Sequence, residues 1–318
     1  MKTRLEYLDV AKGLGILCVV IGHEFIPMIL SDWIYSFHMP LFFIVSGYFC
    51  SKREFGEVIA KGWKRLLLPI LVTTIVANIG MTFIFFRSGE WLGPSVSSWI
   101  FSVVTFNGEF DVVGLWFVWA LFWGKIYFCF LQKLPKYQIF IVSVLLFFLG
   151  YTLYPTLRGS VPWHIDKSLQ VPIFLFVGML LNQYEVLDRL CNKVALFVSI
   201  IIMSLAWLYP INMVFYVYPY SIFSAFLSMI IAIALLLILK YLCDNIDFKM
   251  RVLQFAGQNS LLILCMHGTL GYWQVHKFFS AMPICTFAIV QCIFLLIAAF
   301  FLLKIPMVNN LFYGKIVK

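Results

Sequence analysis

The feature that most limits what this chain can become is a series of apolar runs, each close to the length of a bilayer crossing, that recurs from one end to the other. About 20 mostly apolar residues suffice to span the hydrocarbon core as a helix. Such runs lie near 9–30, 34–51, 66–86, 113–132, 137–155, 168–182, 194–210, 219–240, 259–279 and 284–304. Only 12% of the residues are charged and 63% are hydrophobic, whereas a soluble domain carries roughly 25% charged residues. Lipid is therefore the solvent for most of the surface. The expected fold is all-α, a polytopic membrane helical bundle of about ten transmembrane helices forming a single membrane-embedded domain over residues 1–318. The first run is too long for the core of a signal peptide and carries Lys12 and His23, so it is read as the first span.

Charge placement gives an orientation. Cytoplasmic loops of membrane proteins carry an excess of Lys and Arg. With the N-terminus inside, four of the 23 basic residues (Arg87, Arg158, Lys167 and Lys277) fall outside, Lys12 and Lys125 lie within spans, and the rest fall inside. An even number of spans with both termini cytoplasmic is expected. The net charge of +9 sits between apolar runs rather than in one patch, which argues for a lipid bilayer and against nucleic acid as partner. The eight cysteines are single, with no CxxC and no metal-ligand spacing, so no metal site is expected. Two longer outer segments, about 87–112 and 156–167, hold Glu90, Trp91, Glu109 and Asp111 in the first and Arg158, Trp163, His164 and Asp166 in the second.

Ionisable groups inside spans are the informative residues. On insertion scales a charge at the bilayer centre costs roughly 2.5–3.5 kcal/mol, so it usually faces a partner or a cavity. The first span holds Asp9, Lys12 and His23. Eleven residues at about 100° each bring His23 to within about 20° of Lys12, after a rise of about 16 Å. All three share one face. The plain reading of Asp9 and Lys12 is an ion pair at i, i+3; the functional one is a polar stripe lining a passage. His38 opens the second span at a depth similar to that of His23. Two imidazoles there would suit proton transfer to and from a hydroxyl near neutral pH.

The stretch from Asp9 to His23, with Lys12 followed by ten residues and then histidine, resembles the opening motif of the acyltransferase-3 superfamily of membrane acyltransferases. Phe37 to Phe49 (FHMPLFFIVSGYF) is similar to its second motif, and Lys64-Arg65-Leu66-Leu67-Leu68-Pro69 to its basic third. Further matches are Leu115-Trp116-Phe117, the Trp163 to Lys167 loop with Phe176-Val177-Gly178 after it, and Gly257-Gln258-Asn259-Ser260 leading to His267. The resemblance follows the family's order along the whole chain.

It implies an O-acyltransferase of surface polysaccharides, in the manner of fucose 4-O-acetylases, that moves an acyl group, usually acetyl, from acyl-CoA to a hydroxyl of a cell-surface glycan or lipid-linked sugar. His23 would be the central catalytic residue, assisted by His38. Lys12, Lys64 and Arg65 would bind the donor. Asp9, Trp116, Asp166, Asn259 and His267 would support the site or shape the acceptor end. Acetyl-CoA would be a donor substrate, with no bound cofactor, and the bacterial cytoplasmic (inner) membrane the expected location. A transporter or flippase for a lipid-linked sugar is the alternative, though no internal repeat of the kind common in such folds is visible.

Overall fold

A computed structural model describes residues 6–24, 26–88, 104–105, 112, 114–157, 161–245, 250–273, 275, 279 and 282–313. Glu90, Trp91, Glu109, Asp111, Arg158, His276 and Lys277 lie outside the described residues. The described residues are overwhelmingly helical, and their one β-type pairing is an isolated bridge between Asn212 and Val217.

The predicted first span is shorter than expected. Helix α1 covers Glu6–Gly22, and the chain breaks before α2, Met28–Tyr35, and α3, His38–Tyr48. Pro27 explains the break, because it lacks an amide hydrogen and disfavours helical backbone in the residue before it. Next, α4 (Phe55–Gly62) runs through a π-turn at Trp63–Leu67 into α5 (Leu68–Ser88). The wide turn lies just ahead of Pro69, whose ring would otherwise press on the carbonyl of Arg65.

The remaining helices are α6 (Trp116–Leu131), α7 (Lys136–Leu157), α8 (Ile165–Ser168), α9 (Val171–Gln183), α10 (Val186–Leu190), α11 (Lys193–Ser204), α12 (Ile222–Asn245), α13 (Arg251–Gln258), α14 (Ser260–Tyr272), α15 (Ile284–Leu302) and α16 (Pro306–Tyr313). Each of the ten predicted segments falls on a helix. Five helical stretches are long and apolar enough to cross a bilayer unaided, and a sixth crosses if Pro162–Ser168 and Val171–Gln183, bent by 60°, count as one. Among the described residues, length and composition therefore support five or six of the ten expected spans. The shortfall has a physical form: α6, α11 and α14 are apolar but only 12–16 residues long.

Two glycine pairs set the central packing. Gly13 on α1 lies against the backbone of Leu253 and Gly257 on α13, and Gly257 lies against the carbonyl of Asp9 and the amide of Gly13. A methyl group at either position would occupy the space of a backbone carbonyl. Gly47 on α3 and Gly178 on α9 repeat the arrangement, each facing backbone atoms of the other helix. Small residues that let helix backbones touch are a principal means of association in lipid, where apolar side chains gain little from leaving it.

Polar ties lock the same helices at one end. Lys240 on α12 bridges Asp188 at 2.8 Å and Asp244 at 2.9 Å, and lies over the Tyr7 ring of α1 at 5.1 Å. The Tyr7 hydroxyl reaches that of Tyr48 at 3.4 Å, and Asn182 on α9 donates to the Tyr48 carbonyl at 2.9 Å.

Candidate active site

The Asp9 to His23 stripe forms as the helical period requires. Lys12 bonds Asp9 at 2.8 Å, and Asp9 also accepts from Gln258 of α13 at 3.3 Å. Lys12 is thereby tethered yet still lines a cavity of about 400 Å³. Ile16 and Val19 continue the lining along α1. His23 lies one residue past the helix end, but its amide still bonds the Val19 carbonyl at 3.2 Å, which keeps it on the helical track.

The other walls come from α3, α6 and α14. Met39, Phe42, Val45 and Ser46 present one face of α3; Ser260, Leu261 and Leu264 present one face of α14. On α6 the lining recurs from Phe117 and Val118 through Leu121, Phe122 and Lys125 to Phe128, Cys129 and Gln132. That face extends about 22 Å at 1.5 Å per residue. The slot is polarised along its length. Exposed Arg53, Lys61 and Arg65 stand at its mouth, while its floor is the buried apolar set Val19, Met39, Phe42 and Leu264.

Charge at the mouth has one sign. Among the described residues, no acidic side chain lines the cavity. Lys61 shares an exposed contact with Glu57 at 3.3 Å. Arg53 and Arg65 are close enough to Lys125 to repel it, and among the described residues none of the three has an ion-pair partner. Several cations held together in a partly dry slot are stabilised when an anion enters. Lys125 had no assigned role in the sequence, although its place within an apolar run was itself the signal. Arg53 and Lys61 were hidden among ordinary loop charges.

The predicted site residues divide. Asp9, Lys12 and Arg65 gather at the cavity, Asp9 through its bond to Lys12. Lys64 does not: it is exposed and turned away from the lining, because adjacent helical residues point about 100° apart. Asn259 joins α13 to α14, its amide donating to the Phe255 carbonyl at 2.6 Å while its Oδ1 is buried without a partner. Trp116 and Asp166 lie away from the cavity. Trp116 is buried edge-on to Phe117, and the Asp166 carbonyl accepts from the Tyr216 hydroxyl at 2.6 Å. Asp166 belongs to a second polar cluster that includes Tyr127, Ser168, and Lys167 donating to His164 Nδ1 at 2.9 Å. Nearby, Trp163 stacks on Trp119 with ring centroids 6.4 Å apart.

The imidazole in contact with His23 is His267, not His38. His267 Nε2 and His23 Nδ1 are 3.2 Å apart, and the rings stack at 5.2 Å with a 26° tilt. One of the two nitrogens must donate, and the contact commits His23 Nδ1, leaving its Nε2 as the nitrogen for outside partners. His267 is buried, with Nδ1 lacking a partner, and His23 is the more exposed residue of the two. His38 Nδ1 is bonded at 2.8 Å to the Ile34 carbonyl, which can only accept. Its proton is therefore on Nδ1, and Nε2 carries the lone pair. The cavity floor meets the pair from below: Val19 precedes His23 by four residues and Leu264 precedes His267 by three, one helical turn in each case.

Both histidines of the pair fall in a region, residues 5–303, that matches the family model described as an acyltransferase domain. The chain belongs to the acyltransferase-3 family. This acyltransferase-3 protein is similar to the nodulation protein NolL of Mesorhizobium japonicum, with 25% identity over 293 residues, covering 82% of this chain and 74% of that protein. No solved structure matches it. Membership makes the chain an integral membrane acyltransferase acting on groups other than aminoacyl, which takes the footing from the transporter alternative. The family-like motifs also acquire a spatial logic. The Asp9–His23 and Gly257–Ser260 segments touch through Gly13 and Gly257, and the SGY and FVG segments touch through Gly47 and Gly178.

Proposed function

We propose that this acyltransferase takes an acyl group, acetyl in the first instance, from acyl-CoA and delivers it to a hydroxyl of a cell-surface glycan or lipid-linked sugar. The observation that carries the reading is the polarised slot, cationic at an exposed mouth and ending one helical turn from the His23–His267 pair. A donor with phosphates at one end and a thioester at the other matches that polarity. Arg53, Lys61, Arg65 and Lys125 meet the phosphates, and Lys12 lies further along the wall. With the mouth on the cytoplasmic side of a bacterial inner membrane, CoA never has to cross the bilayer.

At the far end the acceptor hydroxyl attacks the thioester carbonyl as its proton passes to an imidazole. The C–S bond then breaks, an ester forms, and the imidazolium returns the proton to the departing CoA thiolate. His23 Nε2 is the acceptor atom in this scheme, with His267 holding the ring through Nδ1 and His38 Nε2 a second base nearby. General-base assistance of this kind contributes about 10²–10⁴-fold. No metal or redox group enters the step.

The test uses membranes containing the full chain and acetyl-CoA labelled in the acetyl group. Incorporation of label into the glycan fraction is expected, falling by about 10² or more in His23→Ala. Undiminished incorporation in that variant sinks the reading.

A further inference from the structure

The floor of the slot bears on which acyl groups can pass. Val19, Met39, Phe42 and Leu264 are each under 10% exposed and are drawn from three helices, α1, α3 and α14. Along α1, α3 and α14 they are the lining residues nearest to His23, His38 and His267, and neither His23 nor His267 itself lines the slot. Phe42 is held from two sides. Its ring packs on Phe117 at 5.6 Å, and its edge lies so close to Gly15 that a methyl group there would meet it at 3.1 Å. The rise from the floor to the imidazoles is about 6 Å on α1 and about 5 Å on α14. An aromatic ring fixed in this way does not yield to a longer chain as a free side chain would.

We propose that Val19, Met39, Phe42 and Leu264 form a collar that gauges the acyl group, admitting a two-carbon chain to the His23–His267 pair and turning back longer ones. The inference rests on the transferase reading above and adds chain-length selection to it. Phe42 and Met39 set the bore from α3, and Leu264 and Val19 close it from the two histidine-bearing segments. None of the four carries a group that takes part in the chemistry, so they select and do not catalyse.

Membranes with the full chain are supplied in turn with acetyl-, butyryl-, hexanoyl- and octanoyl-CoA, each labelled in the acyl group, and label in the glycan and lipid-linked fractions is measured. The wild-type chain is expected to transfer acetyl at least tenfold faster than butyryl. In Phe42→Ala and Met39→Ala the butyryl-to-acetyl ratio is expected to rise tenfold or more. Because Phe42→Ala also opens a hole in the core, Val19→Phe supplies the opposite change: a narrowed bore that lowers acetyl transfer at least tenfold while acetyl-CoA binding persists. Acetyl transfer with an unchanged chain-length profile in all three variants overturns the gauge alone. Equal use of acetyl and octanoyl groups by the wild-type chain overturns it as well. No label from any donor overturns the transferase reading and the gauge with it.

Discussion

Helices α1 and α15 show how lipid inverts the usual relation between hydrophobicity and burial. Helix α15 has no charged residue, yet Ile289, Val290, Ile293, Phe294, Ile297, Phe300 and Phe301 face outward. Helix α1 carries Glu6, Asp9 and Lys12, and is enclosed by α3, α12, α13, α14 and α15. In water the greasier helix would be the inner one. In a bilayer the apolar side chain loses nothing by facing out, while the charge needs partners that only protein supplies. Of the two, the helix that looks less like a membrane span is therefore the one around which the site is built.

Breaking the contrast at its strongest point should have the largest effect. Gly13→Val and Gly257→Val each place a side chain into a backbone carbonyl of the facing helix. Overpacking costs about 1–3 kcal/mol even where side chains can shift, and here backbone is in the way. Neither variant is expected to accumulate as folded protein, which the melting of a detergent-solubilised fluorescent fusion would report; normal melting would remove the glycine contact from the account.

The next effect distinguishes the two imidazoles near His23. His267→Ala is expected to reduce turnover about tenfold to a hundredfold through loss of ring orientation, with the KM for acetyl-CoA little changed. His38→Ala should cost less, since His38 is bonded to backbone rather than to His23. A larger loss in His38→Ala than in His267→Ala would reverse the assignment.

A milder change is expected at the mouth. Lys125→Ala should raise the KM for acetyl-CoA by roughly tenfold, equivalent to about 1.4 kcal/mol, with kcat affected less. Cys50, which lines the same slot, offers an independent readout: CoA should slow its alkylation by N-ethylmaleimide several-fold in the wild-type chain, and about ten times more CoA should be needed for the same protection in Lys125→Ala. Smallest of all is the effect on the outer helix. Phe294→Leu and Ile297→Leu on α15 should stay within about 0.5 kcal/mol of the wild type in stability, and their transfer rates should match it.

How much of this was legible beforehand depended on whether a signal was local. The helices were, because each needs only its own apolar run. So was the face shared by Asp9, Lys12 and His23, since eleven residues fix an angle. Pro27 offered a readable stop for α1, but the apolar residues running past it masked the signal. The pairing of His23 with His267 was not legible: 244 positions separate them, and depth matched His23 to His38 equally well. Lys125 stood out as a charge in an apolar run, but its opening onto the slot required the placement of α1, α3 and α14. For Lys64 and Arg65, sequence offered two neighbouring cations and only the turn of the helix separated them.

One consequence concerns the order in which such a molecule comes to life. A growing polypeptide enters the membrane from its first residue onward, and the early part of a chain settles before the rest exists. His23 is made long before its stacking partner, 244 positions further on, and before the Gly257 contact that seats the α13–α14 junction against α1. Until then the N-terminal histidine stands without the ring that orients it. A nascent chain that stops short of α14 thus holds His23 without the ring pairing that completes the candidate site.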